Sequence, residues 1–331
     1  MTLPGGDPLA VRGSWIFRVG AQGLHPPARG VPVTVVDSGL DASHPEFAGR
    51  SDTVALNDQT IVGPRAFHGT AVSSVIAAPE NGLGFVGLYP AAELWAWDAS
   101  PDASLSASEV VAGIEAAVAR GPSVINLSLG GSRSRFEQEA IDAAFERGSI
   151  VVAAAGNGRR SGASETYPAS LPHVLTVGSI DRASRVSSFS SRSSGMDLAA
   201  PGEDIWIAVP TGFDPSGFQL GRGTSFAAPM VAAATAWVWT ARPNLHNTQV
   251  FELMRRSARD LGRKGRDQDT GFGRLDIRVA LRRPAPPVDP GEPNDSPGAV
   301  RGRAPVGPRL TARLDVTEDP RDYYPVSVPP G

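Results

Sequence analysis

The stretch SVINLSLGGSRSRFEQEAIDAAFERGSIVVAAAG, residues 123–156, contains a complete strand, helix and strand unit. Its two ends, 123–129 and 149–156, are short apolar runs rich in β-branched residues, which predicts strands buried on both faces. Residues 135–148 have helical spacing and finish in a glycine suited to a helix C-terminus. A strand, a crossover helix and a second strand predict a parallel sheet with helices on both faces.

The same pattern extends in both directions along the chain. VPVTVV (31–36) and HVLTVG (173–178) predict two more buried strands, and 106–121 predicts another helix. The fold class is therefore α/β. The pattern leaves an open sheet and a closed barrel as alternatives.

A shift in composition near residue 281 predicts a domain boundary. About a quarter of residues 282–331 are proline, and no run there has clean helical periodicity. The 331 residues are enough for two average domains or for one large α/β domain with an appendage. We expect a main domain over 31–281 and a proline-rich segment over 282–331.

Composition excludes several classes of function. A net charge of −3 gives no footprint for nucleic acid, and the absence of cysteine excludes disulfides, thiolate metal sites and a cysteine nucleophile. No apolar run reaches the length of a membrane span. The nearest, FAAPMVAAATAWVWT (226–240), is interrupted by a proline and two threonines and predicts a core helix.

Three polar residues lie where a predicted element meets a turn. Asp37 follows the strand VPVTVV, at the carboxyl end where open α/β sheets bind ligands. His68 opens the apparent helix HGTAVSSVIAA. Ser225 stands close before Pro229, which would break a helix interior, so we expect the helix to begin at or just before Ser225. Each residue alone also fits a structural role, as a turn cap, a packed histidine or a helix cap.

Together these residues support a different interpretation. An acyl-transfer serine needs a base and a carboxylate that orients the base, and the chain order is immaterial. Asn157, after the strand VVAAAG, adds an amide donor at the same predicted sheet edge, although Gly-Asn-Gly also suits a plain turn. The set predicts a nucleophilic serine.

The five ordered motifs around these residues resemble those of the subtilisin-like serine peptidases, over roughly residues 7–281. They are VVDSGLDASHPEF, HGTAVSSVIAA, VINLSLGG, AAAGN and GTSFAAP. The resemblance implies an endopeptidase with a three-layer open sheet, in which residues 1–30 are the N-terminal segment of the catalytic domain. It implies Ser225 as nucleophile, His68 as proton shuttle, Asp37 as the orienting carboxylate, and Asn157 with the Ser225 N–H as the oxyanion site.

The resemblance also implies where an extended protein or peptide substrate binds. Ser128, Leu129 and Gly130 look like the strand that pairs with substrate, and 103–107 like the facing side. Further substrate contacts are implied at Ala155, Gly156, Thr166 and Thr224. Apolar strand residues followed by glycines are otherwise simply core and turn.

Several positions depart from the common family pattern. Ala71, Ala228 and Met230 replace a histidine, a serine and a histidine, which predicts altered helix packing and unaltered chemistry. Thr166 stands where glycine is frequent and predicts a narrower specificity pocket. Arg159 and Arg160 nearby favour acidic substrate residues, or else form a solvated loop.

The resemblance implies a candidate structural calcium site. Its ligands would be Glu46, Asn81 and the carbonyls of Pro79, Leu83 and Phe85, all hard oxygen donors. Glutamate stands where the family usually has aspartate, and a solvated Asn-Gly turn is the alternative. No cofactor is expected for the chemistry itself.

The two terminal segments of the chain also carry predictions. EPNDSP (292–297) and DPRDYYPVSV (319–328) resemble the opening of a pre-peptidase C-terminal domain. Only 36 residues precede Asp37, so the family's inhibitory pro-domain was either removed or is dispensable. A pro-peptide or protein inhibitor is an implied partner. Secretion is implied by the family and the tail, although the N-terminus lacks the pattern of a secretory signal.

Three other functions remain as alternatives. An inactive relative that binds peptides or scaffolds a partner would be expected to lack one of the four site residues, and none is missing. A lipase-type hydrolase requires G-x-S-x-G, which the chain lacks. A metallopeptidase is the weakest alternative, because none of the five histidines forms an H-E-x-x-H pair.

Overall fold

The structure is a computed structural model, and it describes residues 6–9, 15–57, 66–100, 105–162, 165–288, 300–305 and 323–326. Some predictions lie outside these ranges. They are the motif at 292–297, most of the motif at 319–328, and residues 103 and 104 of the proposed substrate-facing segment.

Seven strands form one open sheet in the order β2-β3-β1-β4-β5-β6-β7, with a separate two-stranded sheet β8-β9. The strands are β1 Val33–Asp37, β2 Thr53–Ala55, β3 Leu94–Asp98, β4 Val124–Leu127, β5 Ile150–Ala154, β6 Val174–Ile180, β7 Met196–Pro201, β8 Ile205–Ala208 and β9 Phe218–Gly221. Every neighbouring pair in the seven-stranded sheet is parallel. The open sheet is confirmed, and the barrel alternative is wrong.

The four predicted strands correspond to β1, β4, β5 and β6, within three residues at each end. Every residue in these four strands is buried, which explains their unbroken apolar runs.

The helices are α1 Trp15–Arg18, α2 Phe67–Ala77, α3 Ala107–Arg120, α4 Arg135–Glu146, α5 Thr224–Ala241, α6 Asn247–Arg256 and α7 Ile277–Arg282. Ser106 caps α3 by accepting a hydrogen bond from the Glu109 N–H, and Ser134 caps α4 in the same way. Gly148 follows α4 with φ 87°, the left-handed conformation that stops a helix.

The layers lie as predicted, with helices on both faces of the sheet. Helices α3 and α4 bury Ile114 and Ile141 with Ile125 and Val151 on one face. Helices α2 and α5 bury Val75 on the other face, in a core that includes nearly every α5 side chain from 226 to 239. The apolar run at 226–240 is therefore a core helix. Of the described helices, none is both long and apolar enough to cross a membrane.

Both flanking segments contact the main domain. Trp15 and Val19 lie in the core, and the Val19 carbonyl accepts a hydrogen bond from the Ile277 N–H. The boundary predicted near 281 falls at the end of α7, and the Pro286 carbonyl beyond it accepts from Gln249. The division into domains stays a prediction.

Candidate active site

The sheet order reverses at β1, which has β3 on one side and β4 on the other. A crevice opens beyond the carboxyl ends of the strands at such a reversal. Asp37 is the last residue of β1, Ser128 directly follows β4, and Asn157 follows β5 after a short turn. The strand ends therefore place these three polar residues along one edge.

His68 lies in the first turn of α2 and contacts Asp37. Its Nδ1 is 2.8 Å and 2.9 Å from the two Asp37 carboxylate oxygens. Because a carboxylate only accepts hydrogen bonds, Nδ1 carries the proton and Nε2 is the free acceptor of the neutral ring. The Ser38 N–H also donates to Asp37 Oδ1, at 2.7 Å, which fixes the carboxylate.

Two opposing effects act on the pKa of His68. Burial among protein atoms lowers it, while the negative charge of Asp37 and the hydrogen bond to it raise it. Burial is the largest single effect, but the charge and the hydrogen bond of Asp37 together outweigh it, so the pKa of His68 lies above its ordinary value. The ring is 37% exposed and is therefore accessible from the crevice.

Ser225 lies in the first turn of α5 and is half-buried. Its hydroxyl donates to the Ser128 carbonyl, with 3.3 Å between the oxygens. Within the described ranges, no hydrogen bond joins Ser225 to His68. The His68 ring nevertheless lies 6.0 Å, centre to centre, from the ring of Phe226, the next residue of α5. The structure therefore brings the three residues to one edge with the serine hydroxyl turned toward Ser128.

Helix α5 begins at Thr224, as expected, but Pro229 lies beyond its first turn. The missing N–H of Pro229 would have bonded to the Ser225 carbonyl. The hydroxyl of Ser128 donates to that carbonyl instead, at 2.9 Å, and itself accepts from Asn126 Nδ2 at 2.9 Å. Sequence reasoning missed this replacement, which fixes the start of α5 against the end of β4.

Asn157 is exposed and is oriented by Thr224. Its Oδ1 accepts from the Thr224 N–H at 3.0 Å and from the Thr224 hydroxyl at 3.1 Å. Because a backbone N–H is only a donor, the amide oxygen must face Thr224, and Nδ2 faces the opposite way. Asn157 therefore presents a donor beside the start of α5.

We call the space between Gly130 and Gly156 the slot, and it lies beside the predicted substrate strand. Among the described residues, no hydrogen bond uses the backbone N–H or carbonyl of Leu129 or Gly130. Thr166 lies between Gly130 and Gly156, since a Cβ added at either glycine would collide with it. The side chain that replaces the frequent glycine thus fills part of the slot. Ala155 is buried, and its N–H is used by the Val177 carbonyl.

The departures from the family pattern are packing positions. Ala71, Ala228 and Met230 are all fully buried, in α2 and α5, which pack against each other. The Met230 side chain is therefore part of the helix core.

The two arginines after Asn157 have partners within the chain. Arg159 Nη1 is 2.5 Å from Asp269 Oδ1. The exposed Arg160 donates to the Ser188 hydroxyl at 2.7 Å, and no carboxylate of the described residues pairs with it. The charge of Arg159 is thus largely neutralised within the chain.

A second group of polar residues surrounds Glu46, which is 1% exposed. Its Oε1 is buried without a hydrogen bond, and Asn81 Nδ2 lies 3.3 Å from its Oε2. Asp7, also 1% exposed, has an equally unpartnered Oδ2, and its Oδ1 accepts from the Asn81 N–H. Burial, the largest effect, raises the pKa of Glu46 to about 7; hydrogen bonds from Asn81 and the Phe85 backbone oppose the rise, and Asp7 adds to it.

These residues fit a hard cation. Two buried carboxylate oxygens without partners, close to a loop whose Pro79, Leu83 and Phe85 carbonyls were predicted as ligands, are the donors that calcium prefers. No cluster of three or more His, Cys, Asp or Glu suited to a metal occurs in the described parts of the chain, so such a site would depend on carbonyl and amide oxygens. Asp7 was missed, because no local pattern links GGDP to residues 46–85.

An open α/β sheet with Asp37, His68 and Ser225 at one edge is the arrangement predicted from the resemblance to subtilisin-like serine peptidases. A family comparison agrees with this class. The family model described as "Subtilase family" matches residues 28–273. The chain belongs to the subtilase family.

Individual relatives support the assignment. Subtilisin amylosacchariticus from Bacillus subtilis subsp. amylosacchariticus is 37% identical over 237 residues, covering 70% of this chain and 61% of the relative. Fervidolysin from Fervidobacterium pennivorans is 34% identical over 290 residues, covering 77% of this chain and 41% of the relative. The chain thus spans about three fifths of the first relative and less of the second.

A solved structure is similar as well. The crystal structure of fervidolysin, described as a keratinolytic enzyme related to subtilisin, superposes with a TM-score of 0.74 at 29% identity. It covers 86% of this chain and 47% of the fervidolysin chain.

Proposed function

We propose that this chain is a serine endopeptidase that cleaves peptide bonds through an acyl-enzyme on Ser225. The observation that carries the proposal is the pair of contacts from the Asp37 carboxylate to His68 Nδ1, at 2.8 Å and 2.9 Å. They leave Nε2 as the proton acceptor beside the start of α5. Membership of the subtilase family supports the same function.

In the acylation step, the Ser225 hydroxyl leaves the Ser128 carbonyl and donates to His68 Nε2. As Oγ attacks the peptide carbonyl, its proton passes to His68, and Asp37 stabilises the imidazolium that forms. His68 then gives this proton to the amine as the C–N bond breaks. The leaving chain therefore departs on the His68 side of Ser225.

The oxyanion of the tetrahedral intermediate is held by Asn157 Nδ2 and the Ser225 N–H. Thr224 supports this role, because it holds the amide oxygen of Asn157 with two hydrogen bonds before substrate arrives. A donor oriented in advance costs no reorganisation during the reaction. In the second half of the reaction, His68 takes a proton from water as the water oxygen attacks the ester, and it returns this proton to Ser225 Oγ as the bond between the acyl carbon and Oγ breaks.

The substrate contacts follow from the slot beside Ser225. The acyl side of the substrate pairs in extended form with Ser128, Leu129 and Gly130, whose strand is open along Leu129 and Gly130. Ala155 and Gly156 form the opposite wall, and Thr166 shortens the space between the walls. We therefore expect a preference for small side chains at the residue before the scissile bond.

The remaining parts of the proposal concern a calcium ion, binding partners, secretion and the division into domains. A structural calcium ion would be held by Glu46, Asp7, Asn81 and the carbonyls of the 79–85 loop, and when bound it would neutralise two buried carboxylates. Protein or peptide substrates, a pro-peptide or protein inhibitor as a partner, and secretion are proposed from family membership. The division into a catalytic domain and a C-terminal segment beyond 281 is proposed from composition.

Labelling with a fluorophosphonate probe tests the nucleophile. The native chain should be labelled and Ser225→Ala should not. Ser128→Ala should still be labelled, although more slowly, because it keeps the Ser225 hydroxyl while the Ser225 carbonyl loses its hydrogen bond to Ser128. Equal labelling of native chain and Ser225→Ala would refute the proposal.

The alternative is a catalytically inactive relative that binds extended peptides or scaffolds a partner. It predicts no labelling of the native chain, together with peptide binding that Ser225→Ala retains. Titrating both proteins with a labelled peptide, alongside the probe experiment, separates the two functions.

A further inference from the structure

Arg222 lies three residues before Ser225 and is exposed. Its guanidinium carbon is 5.1 Å from the ring centre of Phe189, which is only 8% exposed. Such a cation–π contact restrains the side chain while leaving its charge available. Among the residues that the structure describes, no carboxylate forms an ion pair with Arg222. We call Phe189, Gly221 and Arg222 the rim.

Gly221, the first residue of the stretch that leads to Arg222, packs against Phe226, whose ring lies on the His68 side of Ser225. The His68 ring is 6.0 Å from that of Phe226, and a Cβ added at Gly221 would be 2.6 Å from Cε2 of Phe226. The Phe226 ring thus connects His68 to Gly221 and, through the chain, to Arg222. The proposed acyl-side strand, by contrast, contacts Ser225 through Ser128. Since His68 protonates the leaving amine, the rim borders the departing chain.

The surroundings of the rim carry a surplus of positive charge. Arg159 and Arg192 share the single carboxylate of Asp269, at 2.5 Å and 3.3 Å. Arg160 reaches the same loop as Phe189 through the Ser188 hydroxyl. The loop that contains Phe189 is thus contacted by Arg160 and Arg222, neither of which has a carboxylate partner among the described residues, while the nearby Arg159 and Arg192 share one carboxylate.

We propose that Arg222 selects substrates with Asp or Glu at the first or second residue after the scissile bond. The proposal rests on the peptidase function proposed above and specifies its substrate class. It also relocates the acidic preference expected from Arg159 and Arg160. Arg159 is already paired, whereas Arg222 is unpaired, restrained by Phe189 and adjacent to the departing chain.

Two series of internally quenched peptides test the proposal, one for each of the two leaving-side positions. Within a series, the peptides differ only in Glu, Gln or Lys at that position. The native chain should give kcat/KM in the order Glu, Gln, Lys in at least one series, with steps of about 2- to 5-fold, the range of an exposed ion pair. The preference should shrink at about 0.5 M salt, because exposed charges are screened. Mass spectrometry confirms the bond cleaved.

Variants at Arg222 should change this order. Arg222→Gln should remove the preference for Glu over Lys, Arg222→Glu should reverse it, and Arg222→Lys should retain most of it. The Gln peptide is the neutral reference for each protein, so the preference is measured as the ratio of kcat/KM for the Glu or Lys peptide to that for the Gln peptide.

Arg160→Gln is the matched control, since it removes an equal exposed charge from the same region. It should preserve the preference. Loss of the preference in Arg160→Gln, or its persistence in Arg222→Gln, would overturn the assignment to Arg222. Cleavage by the native chain without any charge preference contradicts this proposal alone. If no peptide is cleaved in a Ser225-dependent way, the proposed peptidase function itself fails.

Discussion

Asp37 and Glu46 are both buried carboxyl groups, 4% and 1% exposed, yet their surroundings differ. Asp37 contacts His68 with both oxygens and also accepts from Ser38. Glu46 has one oxygen without a partner, and burial raises its pKa to about 7. A buried charge is tolerated when it is paired. The difference is that both Asp37 oxygens have hydrogen-bond donors within the chain, whereas Glu46 Oε1 has none among the described residues, which is the reason for proposing a bound cation there.

The largest effect is expected from removing the Asp37 charge. Asp37→Asn should lower kcat by about 10⁴-fold, the scale measured for the corresponding substitution in a serine peptidase. His68 must be neutral to accept the serine proton, so activity falls as pH drops through its pKa. Without the Asp37 charge, only the lowering effect of burial remains. The acid limb of the pH profile should therefore move to lower pH.

The matched control for this measurement is Asp98→Asn. Asp98 pairs with Asp37 in the register of β1 and β3 and is also nearly buried, but it contacts Ser100 and Asn57 instead of His68. Its acid limb should stay in place. A parallel shift in both variants would contradict a specific effect of Asp37 on His68.

The next effect in size concerns the donor beside Ser225. Asn157→Ala should lower kcat by about 10² to 10³, the range found for removal of one oxyanion donor in a subtilisin, with little change in KM. The reason is that the bond strengthens only as negative charge develops on the substrate oxygen. Steady-state kinetics on one peptide measure both constants. A rise in KM at constant kcat would instead make Asn157 a ground-state contact.

The smallest effect tests the unpartnered carboxyl group. Calcium at about 100 times its Kd should stabilise the chain by roughly 2.7 kcal/mol, and a chelator should reverse this. A chain of this size should then show a rise in Tm of several degrees by calorimetry. Glu46→Gln and Asp7→Asn should each weaken the response, because each removes a negative ligand.

Glu137→Gln provides the comparison for the calcium experiment. Glu137 is also buried, with an unpartnered oxygen and a pKa raised by burial, but it lies on α4, away from the 79–85 loop. Its calcium response should equal that of the native chain. No calcium response in the native chain would argue for the solvated turn at Asn81.

The sequence allowed the sheet centre and the candidate site to be predicted, because both leave local patterns. The strands β1, β4, β5 and β6 are continuous apolar runs, and Asp37, His68 and Ser225 lie at element ends. The strand β7 was not predicted. It contains Asp197, which is fully buried and lies 3.0 Å from the buried Arg255. Because the partner of Asp197 is distant in sequence, the local pattern around this charged residue favours a loop over a buried strand.

The contacts that orient the site were also inaccessible to local reasoning. The orientation of Asn157 depends on Thr224, and the unpartnered oxygens of Glu46 and Asp7 become apparent only when distant segments meet. The roles of the site residues themselves stay predictions, which the variants above examine.

The link between Ser128 and helix α5 also constrains how this sequence can change. The Ser225 carbonyl needs the Ser128 hydroxyl because Pro229 supplies no N–H. Any other residue at 229 would restore a helical donor and make that hydroxyl redundant for this carbonyl. Substitutions at 128 and 229 are therefore epistatic, since the cost of losing the serine depends on whether the proline is still present.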